Sequence, residues 1–217
     1  MRRHHTKNGT SGTTMIEVMV SLTLLSVIGG IFFMVTDSAS SALRSGVTVA
    51  ELGGRAQRVL NEVCEGLKAS SSDLTTPQTV TPFSGTAVDY QRAIGIDAAG
   101  DPVYGPIEHL ELEAEEAEDG VDNDGDELVD ECRLVWTENP GAAGERRRVL
   151  ATDVRSYLGG ETFDGTDENG NGLLDERGFC LDFGAGYVTV RLTLEGRDKE
   201  GHTIVSTLER TVAFRNE

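Results

Sequence analysis

The chain has 217 residues, with 37 Asp and Glu against 19 Lys and Arg, for a formal net charge of −18. Such a surface repels nucleic acid and anionic lipid headgroups, which removes both as partners. The length allows one domain of ordinary size beyond an N-terminal helix, and roughly 145 residues after Ser70 are enough to bury a core.

Residues 1–12 carry Arg2, Arg3 and Lys7 and no acid. Gly12-Thr13-Thr14-Met15-Ile16-Glu17 follows, and then an apolar run over 18–35. As a helix that run is roughly 27 Å long, enough to span a bilayer. The basic leader stays cytoplasmic and the rest is sent outward. Glu17 is the single carboxylate at the mouth of this segment. An intramembrane charge costs several kcal/mol, so a carboxylate there calls for a partner. A secretory signal would be cut after its apolar region, where 39–42 offers a weak small-residue site.

The glycine, the glutamate five residues on and the basic leader resemble the processing signal of type IV pilins and type II secretion pseudopilins. In that family a glycine ends the leader and the fifth residue of the mature chain is a glutamate. The resemblance places cleavage between Gly12 and Thr13, by a prepilin peptidase, and gives Glu17 an assembly role. Glu17 would meet the free amino terminus of a neighbouring subunit. Thr13 departs from the large apolar residue usual at the new N-terminus, which bears on its methylation. The likeness is sharp from Gly12 to about Ser70 and loose beyond.

No proline occurs from Met1 to Thr76. Apolar positions continue as Val47, Leu52, Val59, Leu60, Val63 and Leu67, against a polar face of Arg44, Glu51, Arg55, Arg58, Glu62 and Glu65. The spacing predicts one long amphipathic helix to Lys68, weakened at Gly29-Gly30 and Gly53-Gly54. The expected division is a leader at 1–12, a helix at 13–70 with its membrane and assembly half at about 14–36, and a head at 71–217.

Thirteen acids and no Lys or Arg lie between Glu108 and Glu131. Within this stretch, residues 119–131 read Asp119-Gly-Val-Asp122-Asn-Asp124-Gly-Asp126-Glu-Leu128-Val-Asp130-Glu131. Residues 164–176 repeat the pattern 45 positions later as Asp164-Gly-Thr-Asp167-Glu-Asn169-Gly-Asn171-Gly-Leu173-Leu-Asp175-Glu176. Calcium takes six to eight hard oxygen ligands, and alternate side chains of a tight loop converge on one point. Asp122, Asp124, Asp126, the Leu128 carbonyl and either Asp130 or Glu131 are the expected ligands of the first loop. Asp167, Asn169, Asn171, the Leu173 carbonyl and either Asp175 or Glu176 are those of the second, with fewer charges and weaker expected affinity. The loops resemble thrombospondin type 3 and EF-hand-like calcium loops. They lack the flanking helix pair of an EF-hand, and their Asp-Glu comes early.

Cys64, Cys132 and Cys180 are the three cysteines. All are expected outside the cytoplasm, where disulfides persist. Cys132 with Cys180 is the favoured pair, although sequence leaves connectivity open.

Strands are predicted at 88–94, 107–112, 132–137, 148–158, 179–183, 187–195 and 203–214. The clearest is the alternation of Val188, Val190, Leu192 and Leu194 with Thr189, Arg191 and Thr193. Together they give an α+β fold, a long N-terminal helix packed on an antiparallel β-sheet with two inserted acidic loops. Pilins and minor pseudopilins share that architecture, and the larger minor pilins and J-type pseudopilins compare best. No catalytic motif is present, and His109 and His202 stand alone in the sequence. The expected function is therefore a non-enzymatic minor pilin or pseudopilin subunit that binds calcium. Its partners would be other such subunits, the peptidase and the inner membrane. The alternative is a membrane-anchored calcium-dependent adhesin that never polymerises.

Overall fold

The structure, a computed structural model, describes residues 14–77, 83–198 and 201–215. Helix α1 runs over Met15–Lys68 without a break. A 3-10 turn at Ser72–Leu74 follows, then strands β1 (Ala87–Ile96), β2 (Pro102–Ala114), β3 (Cys132–Glu138), β4 (Arg146–Val154), β5 (Phe179–Gly184), β6 (Tyr187–Arg197) and β7 (Thr203–Ala213). The chain divides into two compact units, 1–44 and 45–217.

In the first unit every large apolar side chain from Met15 to Val35 is exposed, between 47% and 82%. The helix is long and apolar enough to cross a membrane. Four of its hydroxyls are satisfied within the helix. Ser21, Thr23, Ser26 and Thr36 donate to the carbonyls of Glu17, Met19, Leu22 and Phe32 at 2.6–3.0 Å. That arrangement spares these four hydroxyls the need for water, as an apolar surrounding requires.

In the second unit α1 presents Leu52, Ala56, Val59, Leu60, Val63, Cys64 and Leu67 to the sheet. Val47 does not join them and is 66% exposed. Five residues turn a helix by about 500°, so Val47 points about 140° away from Leu52.

All strand pairings are antiparallel. Strands β1 to β4 form a meander, and β6 carries β5 on one edge and β7 on the other. The two groups join at one pair, Val154 with Leu194. Val88, Leu110, Leu134, Phe179, Leu181, Val190 and Leu192 face the helix in one core. Trp136 lies at its margin and donates from Nε1 to Glu108 Oε2 at 2.7 Å.

The strands lie close to the predicted positions, with two differences. β1 and β2 are longer, because their ladder continues to a turn at Asp97, whose Oδ1 accepts from Ala99 and Asp101 at 2.8 and 2.9 Å. β4 stops at Val154 rather than 158. Asp153 adopts a left-handed φ of 58° at a bulge, after which Val154 makes the last pairs of the strand, with Cys132 and Leu194.

The register places both acidic loops at one end of the sheet. Ala114 pairs Cys132, Cys132 pairs Val154, and Val154 pairs Leu194. The first loop joins β2 to β3 and the second joins β4 to β5.

Candidate metal centre

The two loops share one backbone course. Left-handed φ values occur at Gly120 and Gly165, Gly125 and Gly170, Glu127 and Gly172, and Asp130 and Asp175, each pair 45 residues apart. The internal hydrogen bonds repeat as well. Asp119 and Asp164 accept from the N–H two residues on, at 3.0 and 2.9 Å. Asp122 accepts from Gly125 and Glu127, and Asp167 from Gly170 and Gly172. Asp124 accepts from Asp126 N–H as Asn169 does from Asn171 N–H. Asp126 and Asn171 accept from Leu128 and Leu173 N–H. Leu128 and Leu173 bury their side chains, which pins each loop to the domain.

Asp130 and Asp175 close the loop mouths. Asp130 Oδ1 accepts from Asp119 and Gly120 N–H at 2.9 and 3.0 Å, and Asp175 Oδ1 from Asp164 and Gly165 N–H at 2.9 and 2.8 Å. Glu131 and Glu176 instead turn inward, 4% and 0% exposed.

One participant escaped the sequence reading. Glu116 is buried, and its Oε1 accepts from Asn123 and Asp124 N–H, both at 2.7 Å. Its carboxylate lies with those of Asp122 and Asp124 in a group whose oxygens are within 4.8 Å of one another, a cluster that could hold a metal ion. The equivalent in the second loop, Glu161, accepts from Asn169 N–H at 3.1 Å. The signal was available, since both are glutamates at the same 45-residue offset, three positions before the repeat.

Around the first loop, Asp124, Asp126 and Glu131 line a cleft of about 170 Å³ together with Glu115, Thr152 and Asp153. Among the described residues neither oxygen of Glu131 meets a hydrogen-bond donor. Burial, then the carboxylates of Glu116 and Asp126, raise its pKa. A buried carboxylate among other carboxylates is stable only if it takes a proton or gains a cation. At half-buried Asp122 the opposite holds. Backbone N–H donation, chiefly from Gly125, keeps Asp122 below the usual carboxylate range, ready to bind.

The loop end is braced from both sides. Asp153 pairs with Arg55 of α1 at 2.7 Å, and the same guanidinium reaches Thr152 Oγ1 at 3.1 Å. Arg177 of the second loop pairs with Glu118 of the first and lies 4.8 Å over the Tyr157 ring. Ser156 Oγ donates to the Asp130 carbonyl.

The expected Cys132–Cys180 bridge is not formed. All three cysteines are free and buried. Cys132 belongs to the core on the helix side. Cys180 alternates with Phe179 and Leu181, which fill that core, so its thiol points to the opposite face of the sheet, near Glu176 and Arg191. Burial raises all three thiols, which keeps them protonated and unreactive.

Glu17 lies in the first turn of α1 among exposed apolar residues, its N–H near Thr14 Oγ1 at 3.4 Å. Gly12 and Thr13 lie outside the described residues. Comparison with protein families, with curated proteins and with solved structures returned no match.

Proposed function

We propose that the chain is a minor pilin or pseudopilin, a structural subunit of a type IV pilus or type II secretion filament, whose head is held together by calcium. The observation that carries this reading is helix α1. Over 15–35 its exposed large side chains are apolar and it bears one charged residue, Glu17, while its last four turns are built into the core of the head. A helix of that kind suits a subunit anchored in the inner membrane and later packed against its neighbours through the same apolar surface. Gly12 before Thr13 supplies the processing signal for a prepilin peptidase, and Glu17 the partner for a neighbour's new amino terminus.

The first loop suits a hard divalent ion such as calcium, because its ligand atoms are all oxygens and mostly charged. Asp122, Asp124, Asp126, Glu116 and Glu131 include no nitrogen or sulfur, which disfavours zinc and copper. Calcium would relieve the buried Glu131 and tie the β2–β3 connection to the cleft wall. The role follows from stability rather than catalysis.

The test is incorporation of Glu17→Ala into filaments. This variant should be cleaved and inserted normally and appear in sheared filaments at no more than about a tenth of the wild-type level, for loss of a desolvated ion pair of about 1.4 kcal/mol or more. Wild-type incorporation would favour the anchored binding protein that never polymerises.

A further inference from the structure

The second loop copies the first in backbone and differs in charge. Where the first has Asp124 and Asp126, the second has Asn169 and Asn171. Their amides donate to the buried Glu176, Asn169 Nδ2 at 3.1 Å and Asn171 Nδ2 at 2.9 Å. Aspartates cannot donate, and the corresponding Glu131 has no donor at either oxygen.

A second difference comes from β6. Arg191, 9% exposed, sets Nη1 3.5 Å from Glu176 Oε1, an ion-pair contact in which Nη1 makes no hydrogen bond, and donates from Nε to Glu209 on β7 at 2.6 Å. Among the described residues Glu131 has no such partner. Arg55 beside the cleft is engaged by Asp153, and Arg133 by Glu113. An ion in the second loop would find one donorless oxygen, Glu161 Oε2. It would also have to displace both amides from Glu176 and sit against the Arg191 charge, an arrangement that like charges oppose.

We infer that the second loop carries its cation within the chain: the Arg191 guanidinium and the Asn169 and Asn171 amides hold Glu176 as a divalent ion holds Glu131, so the protein binds one divalent ion and not two. The inference rests on the calcium reading of the first loop. It narrows the expectation of two sites, because a repeat that keeps its backbone has exchanged an external ion for an internal one.

The test is a calorimetric titration of the full chain in detergent micelles with calcium chloride, alongside two variants. Wild type should bind one ion per chain. Asp124→Asn with Asp126→Asn gives the first loop the amides of the second. It should bind none and should melt in chelator no lower than wild type, because the new amides reach Glu131. Asn169→Ala with Asn171→Ala decides the matter should the first variant fail to fold. It should still bind one ion, with affinity within about threefold of wild type. Two ions on the wild type would overturn the inference and leave the calcium reading standing. No ion on the wild type, with a melting point indifferent to chelator, would overturn both. Tight binding by the Asp124→Asn, Asp126→Asn variant, or loss of the ion from the Asn169→Ala, Asn171→Ala variant, would place the ion in the second loop and overturn the inference.

Discussion

His109 is held between two carboxylates, with Nδ1 2.7 Å from Asp89 and Nε2 3.3 Å from Glu111. Partial burial opposes its charge, but hydrogen bonds to Asp89 and then Glu111 outweigh it and raise the pKa above 6.5. A raised histidine contributes stability in full below its unfolded pKa and loses it as pH rises through the folded value. His109→Gln should therefore destabilise the head more at about pH 6 than at about pH 8.5. Urea melts at the two values check this, and an equal loss at both would show that the ring acts by packing alone. The sequence did not reveal this pairing, because His109 meets Asp89 only through the β1–β2 register. The loop residues were more legible. Glu131 and Glu176 could be named because a 45-residue repeat fixes equivalent positions. The choice between them and Asp130 and Asp175 needed the fold, which turns one acid of each pair onto backbone N–H groups and the other inward.

Helix α1 shows two kinds of glycine. Gly66 faces Tyr90, and an added Cβ would lie 2.8 Å from its hydroxyl and 3.1 Å from the ring. Gly53 has only Ser206 Oγ at 3.8 Å. An added methyl gains up to about 1 kcal/mol of helix propensity at either site. At Gly66 overpacking against a buried ring, about 1–3 kcal/mol, exceeds that gain. Gly66→Ala should lower stability and Gly53→Ala should raise it by about 0.5–1 kcal/mol in equilibrium denaturation. Stabilisation by both would mean that Tyr90 yields freely. The sequence marked Gly53-Gly54 as weak points but passed over Gly66, since close approach to a strand leaves no local trace. The helix and strands were legible from period alone. The end of β4 was not. Tyr157 and Leu158 continue an apolar pattern, yet Leu158 is buried as a brace of the second loop, its N–H on the Glu176 carbonyl at 2.8 Å.

At the scale of the molecule, a net charge of −18 works against compactness and against self-association. Much of that charge is gathered in the first loop, where the proposed divalent ion would offset the densest part. It also suits a subunit present in few copies, because highly charged heads repel one another along a filament. Binding to the folded state alone stabilises it by about 2.7 kcal/mol at a hundredfold excess of calcium over Kd. For a head of this size that should raise Tm by about 5–10 °C, and a chelator should reverse the shift. Circular dichroism melts of the full chain in detergent test this, and identical melts with calcium and with chelator would leave the first loop a solvated turn.

Processing of the N-terminus does not depend on the metal. Gly12 and Glu17 stand at a fixed offset at the start of a helix whose apolar surface is exposed throughout its first unit. The direct measurement is the intact mass, with N-terminal sequencing, of the protein extracted from membranes of a cell that makes its natural prepilin peptidase. The mature protein should begin at Thr13. A chain that retains residues 1–12, or one that begins after Ala42, would contradict it.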